Sequence, residues 1–153
     1  MRVYSPVLKE RFPLKYVMPG AGGANLSPPI EWEGIPENTK SLVLVCVDLH
    51  PIARNWIHWC VINIPSTVKG FSEGASLKEI QAPAKELINS YGFKGYGGPQ
   101  PPPGTGDHPY VFKLWALKVS EIKIGEKPTY EEILKAIKPQ VIGEAEFTVY
   151  FGR

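Results

Sequence analysis

Two nearly continuous apolar runs dominate the hydropathy pattern. Ser41–Asp48 (SLVLVCVD) is valine-rich, strand-sized and flanked by turn chemistry at Ile35–Thr39 and a Pro51-containing connection at Leu49–Asn55. It predicts a central strand covered on both faces. Trp56–Ile64 (WIHWCVINI), closed by Pro65, predicts a second. Pro109–Lys118 alternates, with Tyr110, Phe112, Leu114 and Ala116 on one side and Val111, Lys113, Trp115 and Leu117 on the other; this is a third long strand. Gly143–Phe151 predicts the last. Shorter strands are expected within Val3–Val17, broken by Pro6 and Pro13, and at Ile30–Trp32. One helix stands out. Thr129 followed by Glu132 forms a capping box, Ile133, Leu134 and Ile137 supply the apolar stripe, and Pro139 stops it. A second, weaker helical pattern lies at Ser76–Ile80. Strands throughout with one or two short helices predict a mainly β protein, an antiparallel β-sandwich or barrel, in a single domain over residues 1–153.

Between these elements lies Asn89–Asp107 (NSYGFKGYGGPQPPPGTGD), which neither helix nor ordinary strand accommodates. Tyr91, Phe93 and Tyr96 make it too aromatic for a linker, and it delivers His108 to the mouth of the third strand. A rigid loop of this kind builds sites. Gly20–Asn25 (GAGGAN) lacks the lysine and the following helix of a phosphate loop and reads as a flexible connection.

Composition adds limits. Sixteen prolines and fifteen glycines in 153 residues favour short strands and structured turns over a helix bundle. A net charge of +2, evenly spread, gives no footprint for nucleic acid or an anionic membrane. No apolar run is long enough to span a bilayer, and the N-terminal residues lack the core of an export signal, so the cytoplasm is expected. Cys46 and Cys60 make no disulfide framework.

Three polar residues sit where strands would not choose them: Asp48 at the end of an apolar run, His58 inside another, and His108 at the start of a third. A lone strand histidine is usually a satisfied core group and a terminal Asp usually a turn cap; three that converge beside one rigid loop are a candidate site. Pairing Asp48 opposite His58 also sets Cys46 opposite Cys60, with all four side chains on one face and the two thiols near enough to bridge, although cytosolic thiols stay reduced. Three chemistries are open: a metal held by two histidines and a carboxylate, acid–base catalysis, or anion binding by imidazoles with glycine N–H groups from Gly95–Gly98. The first lacks a specific ligand spacing and the second a nucleophile. The third needs only donors, provided that Asp48 is paired with a histidine.

These residues resemble a known family. GYGGPQPPPGTGDHPYVF (Gly95–Phe112) and WIHWCVINIP (Trp56–Pro65), with weaker matches at Asn25–Pro29, Trp32, Ile35-Pro36 and Glu144–Phe151, are similar to the phosphatidylethanolamine-binding proteins, specifically their short prokaryotic, Raf-kinase-inhibitor-like members. The resemblance implies a sandwich of two antiparallel sheets with a small anion pocket at one end. It places the pocket at Asp48, Trp56, His58, Gly98, Pro101, Pro102, His108 and Tyr110. Fold and pocket transfer by resemblance; a particular role does not. The convergent cluster without a nucleophile makes the leading expectation a non-enzymatic binding or regulatory protein for a phosphate-like or phospholipid head group, without cofactor, with a kinase or protease as partner. The resemblance adds a homodimer. The alternative is a phosphoester hydrolase using Asp48, His58 and His108, with or without a metal. One departure is plain. The family's Asp-Pro-Asp-Ala-Pro is one residue shorter here, Asp48-Leu49-His50-Pro51, so the second carboxylate has no counterpart and His50 either enters the pocket or faces solvent. The same analogy leaves open a cis peptide bond before Pro51, which the sequence alone does not decide. Without the C-terminal helix of eukaryotic relatives, the pocket should be more open.

Overall fold

A computed structural model describes all 153 residues. Its core is one long sheet, because the apolar runs are long enough to be buried on both sides. β3 (Ser41–Asp48) is buried at every position, as expected of a central strand. It pairs antiparallel with β4 (Trp56–Pro65) on one side and with β7 (His108–Leu117) on the other. β6 (Lys85–Glu86) extends the sheet beyond β4, and β8 (Val141–Phe151) extends it beyond β7, giving the order β6-β4-β3-β7-β8. A second antiparallel sheet, β1-β2-β5, joins β1 (Arg2–Tyr4), β2 (Ile30–Glu33) and β5 (Gly70–Phe71). The fold is thus mainly β, two antiparallel sheets with one short α-helix.

The period of two divides the core into two layers. Leu42, Leu44 and Cys46 of β3, with Tyr110, Phe112 and Leu114 of β7, face the small sheet and pack with Val3, Ile30 and Trp32. Val43, Val45 and Val47, with Val111, Trp115 and Leu117, face away and are covered by α1 (Tyr130–Ile137) through Tyr130, Ile133 and Ile137. Thr129 caps α1 with the expected capping box, and Pro139 lies in the single 3-10 turn that ends it. Two local readings are corrected. Ser76–Ile80 forms turns rather than a helix, held by Glu86, whose carboxylate accepts from Leu77 N–H and Ser76 Oγ. Gly20–Asn25 is a packed strut rather than a flexible connection. Asn25 Nδ2 donates to the Tyr96 carbonyl, and Asn25 Oδ1 accepts from Gly98 N–H.

The register of β3 against β4 also differs from expectation. Asp48 lies opposite Trp56, Val47 opposite Ile57, and Cys46 opposite Trp59, so His58 is the extra residue of a β-bulge. The bulge lets His58 and Trp59 share a face: His58 rests against Tyr110, and Trp59 joins the same core layer. It also reverses the parity beyond it. Cys60 falls in the layer under α1 while Cys46 lies in the layer between the sheets, so the two thiols cannot face each other and are free.

Candidate functional site

The ends of β3, β4 and β7 meet at one edge of the sandwich, where a cleft of about 680 Å³ opens. Asp48 stands directly across from Tyr110 in the ladder, and the bulge brings His58 alongside. The aromatic loop forms the opposite wall by docking along β4. Ser90 N–H donates to the Ile57 carbonyl, Ile57 N–H to Ser90 Oγ, and Gly97 N–H to the His58 carbonyl. The cleft is lined by seven of the eight anticipated residues, Asp48, Trp56, His58, Pro101, Pro102, His108 and Tyr110, together with Tyr91 and Gln100.

Gly98 is the exception. Its N–H is spent on Asn25 Oδ1 at 2.7 Å and its carbonyl accepts from Tyr91 Oη at 2.7 Å. Gly95 and Gly97 N–H groups bond the Leu87 and His58 carbonyls, and Tyr96 N–H bonds Ser76 Oγ. The four donors expected for an anion are therefore consumed by the fold. Gly98 is required for another reason: a Cβ there would stand 2.1 Å from the Tyr16 carbonyl oxygen.

His108 is almost fully buried, and both its ring nitrogens are engaged. Thr105 Oγ1 donates its one proton to the Pro102 carbonyl at 2.7 Å, so it accepts from His108 Nε2–H at 2.8 Å. On the other side His108 Nδ1 and Asp48 Oδ2 share one proton across 2.7 Å. The pair therefore carries no net charge, and Asp48 does not oppose an anion in the cleft. This is the pairing that the anion reading required.

His50 is the residue that sequence reasoning left open. Its ring stacks on His108 with centroids 3.9 Å apart and planes 12° from parallel. It donates from Nε2 to the Thr105 carbonyl and accepts at Nδ1 from Ile52 N–H. Its own N–H donates to Asp48 Oδ1 at 2.9 Å. Thus His50 neither lines the cleft nor faces solvent freely; it clamps the Asp48–His108 pair from behind. The signal was Asp48-x-His50 ahead of a proline, the pattern of an Asx turn. The peptide bond before Pro51 is trans.

Two buried side chains in the cleft keep an unspent polar atom. Tyr110 Oη is buried and has no hydrogen-bond partner. Burial first, then the Asp48 charge, push its phenol well above the usual range, so it stays a donor. His58 donates Nδ1–H to the Gly97 carbonyl at 2.7 Å, which leaves Nε2 as a lone pair. Burial lowers the His58 pKa from 6.5 to about 4 against the opposing pull of the Gly97 carbonyl and Asp48. Because the folded value lies below the unfolded one, the stabilisation is fully present above pH 6.5 and is lost as pH falls towards 4. The gap corresponds to about 3 kcal/mol. Wild-type protein should therefore lose stability from pH 6.5 to 4, and a His58→Gln variant should lose about 3 kcal/mol less; urea melts at a series of pH values check this.

No three His, Cys, Asp or Glu side chains are placed to share a metal ion. The two-histidine-one-carboxylate arrangement is corrected by the geometry itself, since His108 is already saturated by Asp48 and Thr105. No helix is long and apolar enough to cross a membrane.

The fold agrees with that of the relatives. The family model for phosphatidylethanolamine-binding protein matches residues 5–152. The protein YbcL of Escherichia coli is 34% identical over 145 residues, covering 91% of this chain and 79% of its own. A homologue from Methanothermobacter thermautotrophicus is 34% identical over 147 residues, covering 95% and 93%. The crystal structure of YbcL, described as a new member of the mammalian PEBP family, superposes with a TM-score of 0.90 at 32% identity over 99% of this chain and 98% of its own. That of a putative phosphatidylethanolamine-binding protein homologue from Chlamydia trachomatis gives 0.81 at 31% identity, over 99% and 97%. The chain belongs to the phosphatidylethanolamine-binding protein family.

Proposed function

We propose that this chain is a non-enzymatic binding protein whose cleft takes a small oxyanion group, phosphate or a phospholipid-like head group, and presents the occupied state to a protein partner such as a kinase or protease. The observation that carries the reading is Tyr110 Oη: a buried donor without a partner costs about 1–3 kcal/mol, and a protein keeps one when a ligand satisfies it. Neutralisation of Asp48 by His108 supports the same reading, because it removes the one carboxylate that would repel an anion. Trp56 and Ile52, both substantially exposed at the rim, offer the apolar surface that a partner would sense. The hydrolase alternative gains no support from this geometry. His108 has no free nitrogen, and the cleft holds no serine or cysteine activated by a base.

Tyr110→Phe separates the terms. The variant should lose at least tenfold in affinity for inorganic phosphate, measured calorimetrically, since a hydrogen bond to a charged group is worth about 1.5–3 kcal/mol. The free protein should be as stable as wild type, or more stable by about 1 kcal/mol, because an unsatisfied buried group is removed. Unchanged phosphate affinity together with lower stability would mean that the hydroxyl serves the fold.

A further inference from the structure

The two unspent groups are not alike, and the difference sets which anion fits. Tyr110 Oη offers a proton; His58 Nε2 offers a lone pair. They face the same space, with ring centroids 5.0 Å apart and planes 80° apart. An oxyanion without protons satisfies Tyr110 but sets lone pair against lone pair at His58. We propose that the cleft recognises an oxyanion together with one proton, held between a ligand oxygen and His58 Nε2, so that it selects hydrogen phosphate or a protonated phosphomonoester over equally shaped ions that carry no proton. This rests on the oxyanion reading above and specifies its ligand.

The surroundings fix the direction of the donor pattern. His58 Nδ1–H cannot turn away from Gly97, because that carbonyl is presented by a loop whose N–H groups are themselves bonded. From β3, His58 faces Asp48, whose charge is balanced by His108. From β7 it faces His108 and Tyr110, and from the aromatic loop Tyr91, whose hydroxyl is spent on Gly98. Arg54, Lys127 and Glu131 stand at the rim, with Glu131 tied to Asn55, and Arg153 braces the Pro101 carbonyl. None of these groups donates a hydrogen bond to His58 Nε2, and the two free cations, Arg54 and Lys127, are exposed. Charging His58 itself is disfavoured, since burial holds its pKa near 4. The proton is therefore best brought by the ligand. Hydrogen phosphate carries one at neutral pH, a phosphomonoester carries one below its second pKa of about 6, and sulfate carries none.

The test uses the intact chain, with inorganic phosphate and sulfate as probes, titrated calorimetrically from pH 5 to 8. At pH 7 phosphate should bind at least about 30-fold more tightly than sulfate, and sulfate should gain about tenfold per unit fall in pH, the slope of one proton taken up with the ion. In His58→Gln, whose amide presents a permanent N–H, the preference should shrink towards parity and the sulfate slope should flatten. The ¹⁵N shift of wild-type His58 Nε2 should move on sulfate binding as the ring charges. Equal, pH-independent binding of the two ions to wild type would overturn the proton link while leaving the anion cleft standing. Failure of both ions to bind at any pH would overturn the cleft reading and the proton link together.

Discussion

Replacing Asp48 with Ala should destabilise the protein by about 3–5 kcal/mol, the cost of removing one partner from a buried pair. The carboxylate is only 4% exposed, and both its oxygens are used: Oδ1 by the His50 N–H and Oδ2 by His108 Nδ1. Its loss strands two donors, and with them the His50–His108 stack. Asp48→Asn is the informative companion. Its carbonyl can still accept from His50 N–H, and its amide can donate to a neutral His108 Nδ1, while Nε2–H continues to serve Thr105. That variant should lose about 1–2 kcal/mol, since it exchanges charged hydrogen bonds for neutral ones. Urea denaturation of the two variants at pH 7.5 gives both numbers. A loss in Asp48→Ala below about 1 kcal/mol would show that the pair is not the buried link described here. Phosphate affinity in Asp48→Asn adds a second readout. Because Asp48 and His108 together carry no charge before the change and none after it, affinity should move by less than about threefold.

The layers of this fold were legible because they depend on long, one-dimensional patterns. The eight buried positions of β3, the alternation of β7 and the capping box of α1 each follow from periodicity or from one turn of helix chemistry. The register of β3 against β4 was not legible. A bulge adds one residue without disturbing hydropathy, and WIHWC has a large side chain at each position that could take it. That single residue separates the facing cysteines of the simple register from the separated ones of the structure, while leaving His58 at Asp48's side. The cleft was legible in its side chains and not in its backbone. Trp56, His58, Pro101, Pro102, His108 and Tyr110, all named from the sequence, line one cleft. Gly98 is placed in the pocket by the family resemblance and read as a glycine that offers an N–H. Whether such a donor is free depends on a residue 73 positions away, Asn25, and no local pattern reports it. His50 was ambiguous for a related reason: Asp48 and Ile52 are its near neighbours in sequence, but Thr105, which fixes the far side of its ring, lies 55 positions away.

Gly98→Ala should be the most damaging single change in the aromatic loop, with a loss of about 3 kcal/mol or more, in the range reserved for core overpacking. The new methyl would sit 2.1 Å from the Tyr16 carbonyl oxygen and 3.0 Å from Val17 Cα, both backbone atoms. Neither side can yield easily. Tyr16 O also accepts from Tyr96 Oη at 2.7 Å, the Val17 carbonyl accepts from Asn25 N–H, and Met18 N–H bonds the Pro99 carbonyl at 3.0 Å. Gly104→Ala in the same loop is the control. Gly104 has φ +82° with open space around its Cβ position, so it should lose only the left-handed backbone penalty of about 1–2 kcal/mol. Equal losses in the two variants, from paired urea melts, would refute close backbone approach as the reason for Gly98. The two should also differ in binding. Moving Gly98 frees Tyr91, whose hydroxyl is anchored on the Gly98 carbonyl and whose ring stands edge-on to both His58 and Trp56. Phosphate affinity should therefore fall along with stability in Gly98→Ala and hold in Gly104→Ala, because only the first change reaches the wall that keeps His58 Nε2 turned into the cleft.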